Sequence, residues 1–140
     1  MREPLTYTVA HQAAQAALET ARAEGLRVCA VVVNRGGATK VLLADDGVGL
    51  LGVETARRKA YTSAASGLPT ATFAQFAASP EMAVAPVHLV DDQLLPVPGG
   101  VPIVVDDGEV IGGIGVGGAD GATDDRLATL ALKSIAELLA

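Results

Sequence analysis

The stretch Val97-Pro98-Gly99-Gly100-Val101-Pro102-Ile103-Val104-Val105-Asp106-Asp107-Gly108-Glu109-Val110-Ile111-Gly112-Gly113-Ile114-Gly115-Val116-Gly117-Gly118-Ala119 decides how this chain folds. Two β-branched runs, Val101 to Val105 and Val110 to Val116, flank Asp107-Gly108, a dipeptide suited to the positive φ angles of a two-residue hairpin turn. The stretch reads as an antiparallel hairpin. Its second strand lacks side chains at Gly112, Gly113, Gly115, Gly117 and Gly118, which suits a place where a packed helix or a ligand approaches the backbone. The C-terminal helix is the element expected there, with Gly115 beneath it. Gly113 to Gly118 also spells G-x-G-x-x-G, but dinucleotide binding needs that motif between a strand and a helix of a βαβ unit, whereas here it lies inside a strand.

Working outward, Asp120-Gly121-Ala122 makes a turn and Thr123 is read as the cap of a last helix, with Asp124 and Asp125 near its positive end. Leu127, Ala131, Ile135 and Leu138 form the inward stripe of that helix, and Lys133 and Glu137 lie outside. Upstream, Thr6 or Thr8 caps an alanine-rich helix running to about Glu24 and ended by Gly25. Val9, Ala13, Ala16 and Ala17 share one face of it, and His11, Gln15, Glu19 and Arg22 another. Arg27 to Asn34 and Thr39 to Leu43 read as strands, joined antiparallel by Arg35-Gly36-Gly37-Ala38. After Asp45-Asp46-Gly47 comes a helix from about Leu51 to Ser66, with Val53, Ala56, Ala60 and Ala64 inward and a Glu54 to Arg58 pair outside. Gly67-Leu68-Pro69 stops it, and Thr70 caps a short segment with Phe73, Phe76 and Ala77 inward. Ser79-Pro80 opens another turn of helix. Met82 to Leu95 reads as helical turn, loop and a short strand leading to Val97.

The chain has 140 residues, half of them hydrophobic, which fits a single domain spanning 1–140. A net charge of −6 and no basic run longer than Arg57-Arg58-Lys59 argue against nucleic acid. No apolar run reaches the length of a membrane span, and Met1-Arg2-Glu3-Pro4 is unlike a signal peptide, so a cytoplasmic protein is expected. Cys29, the one cysteine, sits in an apolar run and reads as a buried thiol. His11 and His88 are the only histidines, too few for a multi-histidine metal site, and no metal is expected. Mean hydropathy of +0.40 and an alanine-rich helix predict more apolar surface than one small domain covers, hence association into oligomers.

The segments Val31-Val32-Val33-Asn34-Arg35-Gly36-Gly37, Asp46-Gly47, Ala56-Arg57-Arg58-Lys59-Ala60-Tyr61-Thr62, Pro69-Thr70, Gly99-Gly100-Val101-Pro102-Ile103, Ile111 to Ala119 and Asp124-Asp125 follow one another in the order and spacing of the GlcG/HbpS-like family. The chain resembles that family from Leu5 to Leu139, and is similar also to the C-terminal domain of PduO-type corrinoid adenosyltransferases. The resemblance implies an α/β (α+β) profilin-like fold, a five-stranded antiparallel sheet with helices on both faces, assembled as a ring or an octamer. It implies binding of haem or a related tetrapyrrole. Haem needs only one axial ligand, and His11, on the polar face of the first helix, is the candidate to supply it at a subunit interface. Asn34, Ala44-Asp45 and Gly117 stand where the family pattern has Asp, Arg-Met and Ser.

Lys59 sits in a family motif on an otherwise alanine-lined helix. Two roles stay open for it: binding an anionic ligand together with Gly99, Gly100 and Asp46, or a structural ion pair with Asp46 or Asp124. Two functions therefore stand side by side: a small-molecule-binding protein taking haem, and a small pathway enzyme acting on a carboxylated small molecule at a Lys59/Gly99-Gly100 pocket.

Overall fold

The structure, a computed structural model, describes residues 4–139; Met1, Arg2 and Glu3, on which the leader reading rests, lie outside the described residues, as does Ala140. Helix α1, Tyr7–Ala23, starts at Thr6, whose hydroxyl accepts the Val9 N–H, and the chain leaves it through Gly25 at φ +77°. Strands β1, Cys29–Asn34, and β2, Thr39–Ala44, follow as an antiparallel pair. Helix α2 is Leu50–Ser66, α3 is Thr70–Ala77 and α4 is the single turn Pro80–Ala83. Strands β3, Gly100–Val104, and β4, Val110–Gly117, precede helix α5, Gly121–Ile135.

The strands form one antiparallel sheet in the order β2-β1-β4-β3. It has four strands, not the expected five. The strand anticipated before Val97 is absent among the described residues: Val87–Leu89 is a short 3-10 turn and the chain from there to Gly99 is irregular, tied to α2 by side chains. Tyr61 donates to Asp91, Arg57 reaches the Gln93 side chain at 2.8 Å, and Thr62 Oγ1 accepts the Leu95 N–H at 2.9 Å. Of these, the Leu95 N–H is a main-chain donor that a sheet ladder would otherwise claim.

The strand period of two sends alternate residues to two cores. Ala30, Val32, Ile114 and Val116 face α1 and α5; Cys29, Val31 and Val33 face α2. Helices thus cover both faces, as expected. The helix over the glycines is α2, however, not the C-terminal one. A Cβ on Gly115 would lie 2.5 Å from the Ala60 nitrogen and closer still to the Ala56 carbonyl oxygen, and Cβ atoms on Gly113 and Gly117 would collide with the Ala60 and Gly52 carbonyls. Backbone rests on backbone here, which Ala56 and Ala60 permit by being small.

Smaller expectations are corrected for local reasons. The β3–β4 turn is a three-residue loop: Val105 N–H bonds to the Glu109 carbonyl, and Gly108 alone has positive φ, at +84°. Asp120, not Thr123, caps α5, accepting the Thr123 N–H at 2.9 Å. Pro69 stands at the cap position of α3, because the Thr70 hydroxyl is engaged elsewhere. The buried face of α1 is Ala10, Ala13, Ala14, Ala17 and Ala21, so Val9 and Ala16 lie at its margin. Phe76 and Leu138 are half-exposed, beyond the ends of the packed layers.

Candidate functional site

Lys59 is the buried cation among the described residues. Its side chain is 3% exposed, and Nζ donates to Asp124 Oδ2 and to the Val116 carbonyl, each at 3.0 Å. Asp124, one turn into α5, also accepts the Ala119 N–H through Oδ1 at 3.1 Å. The pair joins α2 to α5 at the end of β4. Burial pushes the Asp124 carboxyl above its ordinary value, against the pull of the Lys59 ammonium. Gly99, at φ +131°, lies over Lys59: a Cβ there would sit 2.8 Å from Nζ. Its carbonyl takes the Val116 N–H at 2.8 Å, while the Val116 carbonyl is left for Lys59.

The Gly100 N–H is occupied as well, donating to Thr70 Oγ1 at 2.8 Å. Lys59, Gly99 and Gly100 are therefore brought together, and the buried Thr70, whose place in the sequence suits a helix cap, joins them. Asp46 is not with them. Its carboxylate is fully exposed beside Arg22, at 3.9 Å, on the turn after β2. Of the two carboxylates considered for Lys59, Asp124 is the one that meets it.

The neighbour of Asp46 is the better anchored group. Asp45 is buried and accepts two bonds from the Arg22 guanidinium, Nε to Oδ2 at 2.8 Å and Nη2 to Oδ1 at 2.5 Å, holding α1 to the end of β2. The bond from Arg22 pulls the Asp45 carboxyl from 3.8 to about 2. Its folded-state value lies below its unfolded one, so the stabilisation is full above the unfolded value and is lost as pH falls through the folded one. Acid titration should show stability falling between pH 3.8 and about 2, and Asp45→Asn should flatten that part of the curve; an unchanged acid limb in the variant would contradict it.

His11 lies half-buried on the outer face of α1, its ring 5.9 Å from that of Tyr7. It lines a groove of about 500 Å³ with Thr8, Gln12, Gln15, Ala16, Glu19 and Ser134. Among the described residues it takes part in no hydrogen bond or ion pair, so a ring nitrogen is available to a metal. His88 is exposed on the 3-10 turn, remote in sequence from this groove's lining. Cys29 is buried and its thiol is pushed up to about 11 by burial, which fits an inert core residue.

Two departures from the family pattern have local explanations. Asn34 Oδ1 accepts the Gly36 and Ala38 N–H groups at 2.9 and 3.1 Å, closing the β1–β2 turn with an acceptor that Asp also has. Any side chain in place of Gly117 would meet the Gly52 carbonyl and Thr55 Oγ1.

The arrangement, one antiparallel sheet between helical layers, is that of a small α+β domain, and the chain belongs to the HbpS-like, haem-degrading-protein family, whose model matches residues 5–133. Among solved structures it is similar to HbpS, at 36% identity over 92% of this chain and 88% of that one with a TM-score of 0.80, a double mutant from Streptomyces reticuli giving 0.81. Protein ORFY of Klebsiella pneumoniae gives 27% identity over 93% and 89% with a TM-score of 0.83. A PduOC–haem complex gives 26% identity over 94% of both chains with a TM-score of 0.82. Among curated proteins no match was found.

Proposed function

We propose that this protein binds haem or a related tetrapyrrole, with His11 as the iron ligand, in an assembly of several copies. The observation that carries the reading is the likeness, over 94% of both chains, to a relative whose crystal structure holds haem. The donor set on α1 supports it. His11 has a free imidazole at the edge of a groove of about 500 Å³, within the range of small-molecule sites, and an imidazole is a common ligand of haem iron. Gln12, Gln15 and Thr8 supply neutral polar groups for the haem carboxylates. Bound haem would supply an iron centre for redox or oxygen chemistry; the chain's part is to hold the iron and orient the ring. The groove is open to solvent on its outer side, so the outer face of the porphyrin would be covered by another copy.

Titration with haemin should give a Soret band distinct from that of free haemin, and His11→Ala should abolish or shift it while His88→Ala leaves it unchanged. The absence of any Soret change in the wild type would overturn haem binding itself. A wild-type spectrum in His11→Ala would remove His11 as the ligand.

A further inference from the structure

The chain has two phenylalanines and two tyrosines, and three of the four are engaged within the fold. Phe73 and Phe76 lie ring to ring at 5.9 Å, and Tyr61 donates to Asp91. Tyr7 is the exception. It stands in the first turn of α1, 65% exposed, and its ring contact is with His11, one turn on and on the same face. Among the described residues its hydroxyl takes part in no hydrogen bond. A ring with a polar tip suits a place where a ligand covers one side and water the other. The groove beside His11 is acidic at its far end. Glu19, two turns further along α1, brings a carboxylate, and Gln15 is committed to it, donating at 3.0 Å. No lysine or arginine among the described residues lines the groove, and the first turn of α1 carries no acidic residue.

We propose that Tyr7 determines which tetrapyrrole binds and how it is turned: its hydroxyl donates to a carboxylate of a ring held through His11, so that the carboxylate edge points to the start of α1 and away from Glu19. This rests on the reading of His11 as the iron ligand. Like charges disfavour each other, so an anionic edge set toward Glu19 would meet repulsion with no cation to offset it. Toward the start of α1 it meets the free phenolic O–H instead, placed beside the imidazole by the contact between the two rings. A hydrogen bond to an ionised acceptor is stronger than one to a neutral acceptor. The site therefore favours a tetrapyrrole with free carboxylates over one whose carboxylates are esterified. His11 holds the iron, and Tyr7 reads the periphery of the ring.

Haemin and its dimethyl ester, titrated separately into the wild type and Tyr7→Phe, test this. The ester keeps the iron and the ring but has no ionised carboxylate. The wild type should bind haemin about tenfold more tightly than the ester, the difference expected of one hydrogen bond to a charged group. Tyr7→Phe keeps the ring beside His11 and loses only the hydroxyl. It should lower the affinity for haemin by about tenfold, leave that for the ester unchanged, and keep the wild-type Soret position and far-ultraviolet circular dichroism. Equal wild-type affinities for the two ligands, an unchanged haemin affinity in Tyr7→Phe, or an equal loss for haemin and ester would each overturn the role of Tyr7 and leave His11 as the ligand. The absence of any Soret change in the wild type would overturn both.

Discussion

Gly115→Val should unfold the protein or lower its stability by about 3 kcal/mol or more, at the upper end of what overpacking usually costs. The first added carbon would already lie 2.5 Å from the Ala60 nitrogen and nearer to the Ala56 carbonyl oxygen. Both are backbone atoms in the middle of α2, so no rotamer change relieves the contact. The helix would have to lift from β4, and in doing so would lose its contact with Gly113 and Gly117 as well. The cost thus exceeds that of crowding one side chain against another. Chemical denaturation followed by circular dichroism checks it, and a midpoint within error of the wild type would show that α2 does not rest on this strand.

Lys59→Met should cost about 3–5 kcal/mol, the usual effect of removing one partner from a buried ion pair. Met keeps the apolar stem and the helix propensity, so the loss would report the stranded Asp124 carboxylate and the unpaired Val116 carbonyl. Adding Asp124→Asn, which retains an acceptor for the Ala119 N–H while removing the charge, should recover much of the loss. The alternative role for Lys59, holding the anionic group of a ligand with Gly99 and Gly100, makes the opposite forecast: unchanged stability, with weakened ligand binding. Melting temperatures of the single and double variants separate the two, and full stability of Lys59→Met would sink the structural pair.

Much of the fold was legible because the signals are local. The alanine period and Thr6 place α1, the β-branched runs place β1 and the β3–β4 hairpin, and glycines mark the turns that need positive φ, Gly25, Gly67 and Gly108 among them. The expected fifth strand failed for a reason equally physical. Residues between Leu89 and Gly99 carry apolar side chains suited to a strand, but their polar neighbours Asp91 and Gln93 find partners on Tyr61 and Arg57 of α2. Those partners lie some thirty positions away in the chain, and no local pattern names them.

The candidate site divides along the same line. The family resemblance brought out Lys59, Gly99 and Gly100, and the structure brings those three together with Thr70, whose short polar side chain also suits a helix start. By itself the sequence determined the segments and their patterns: which residues alternate, where the chain turns, and that β4 offers a bare glycine surface to something. Only the tertiary structure decided that the something is α2, and that Lys59 meets Asp124 while Asp46 remains in solvent. The reason is that periodicity and capping act over a few residues, whereas a buried charge is satisfied by whichever carboxylate the strand order delivers. Asp46 is closer to Lys59 in sequence than Asp124, yet the order β2-β1-β4-β3 sets Asp46 at the sheet margin and brings the start of α5 to Lys59.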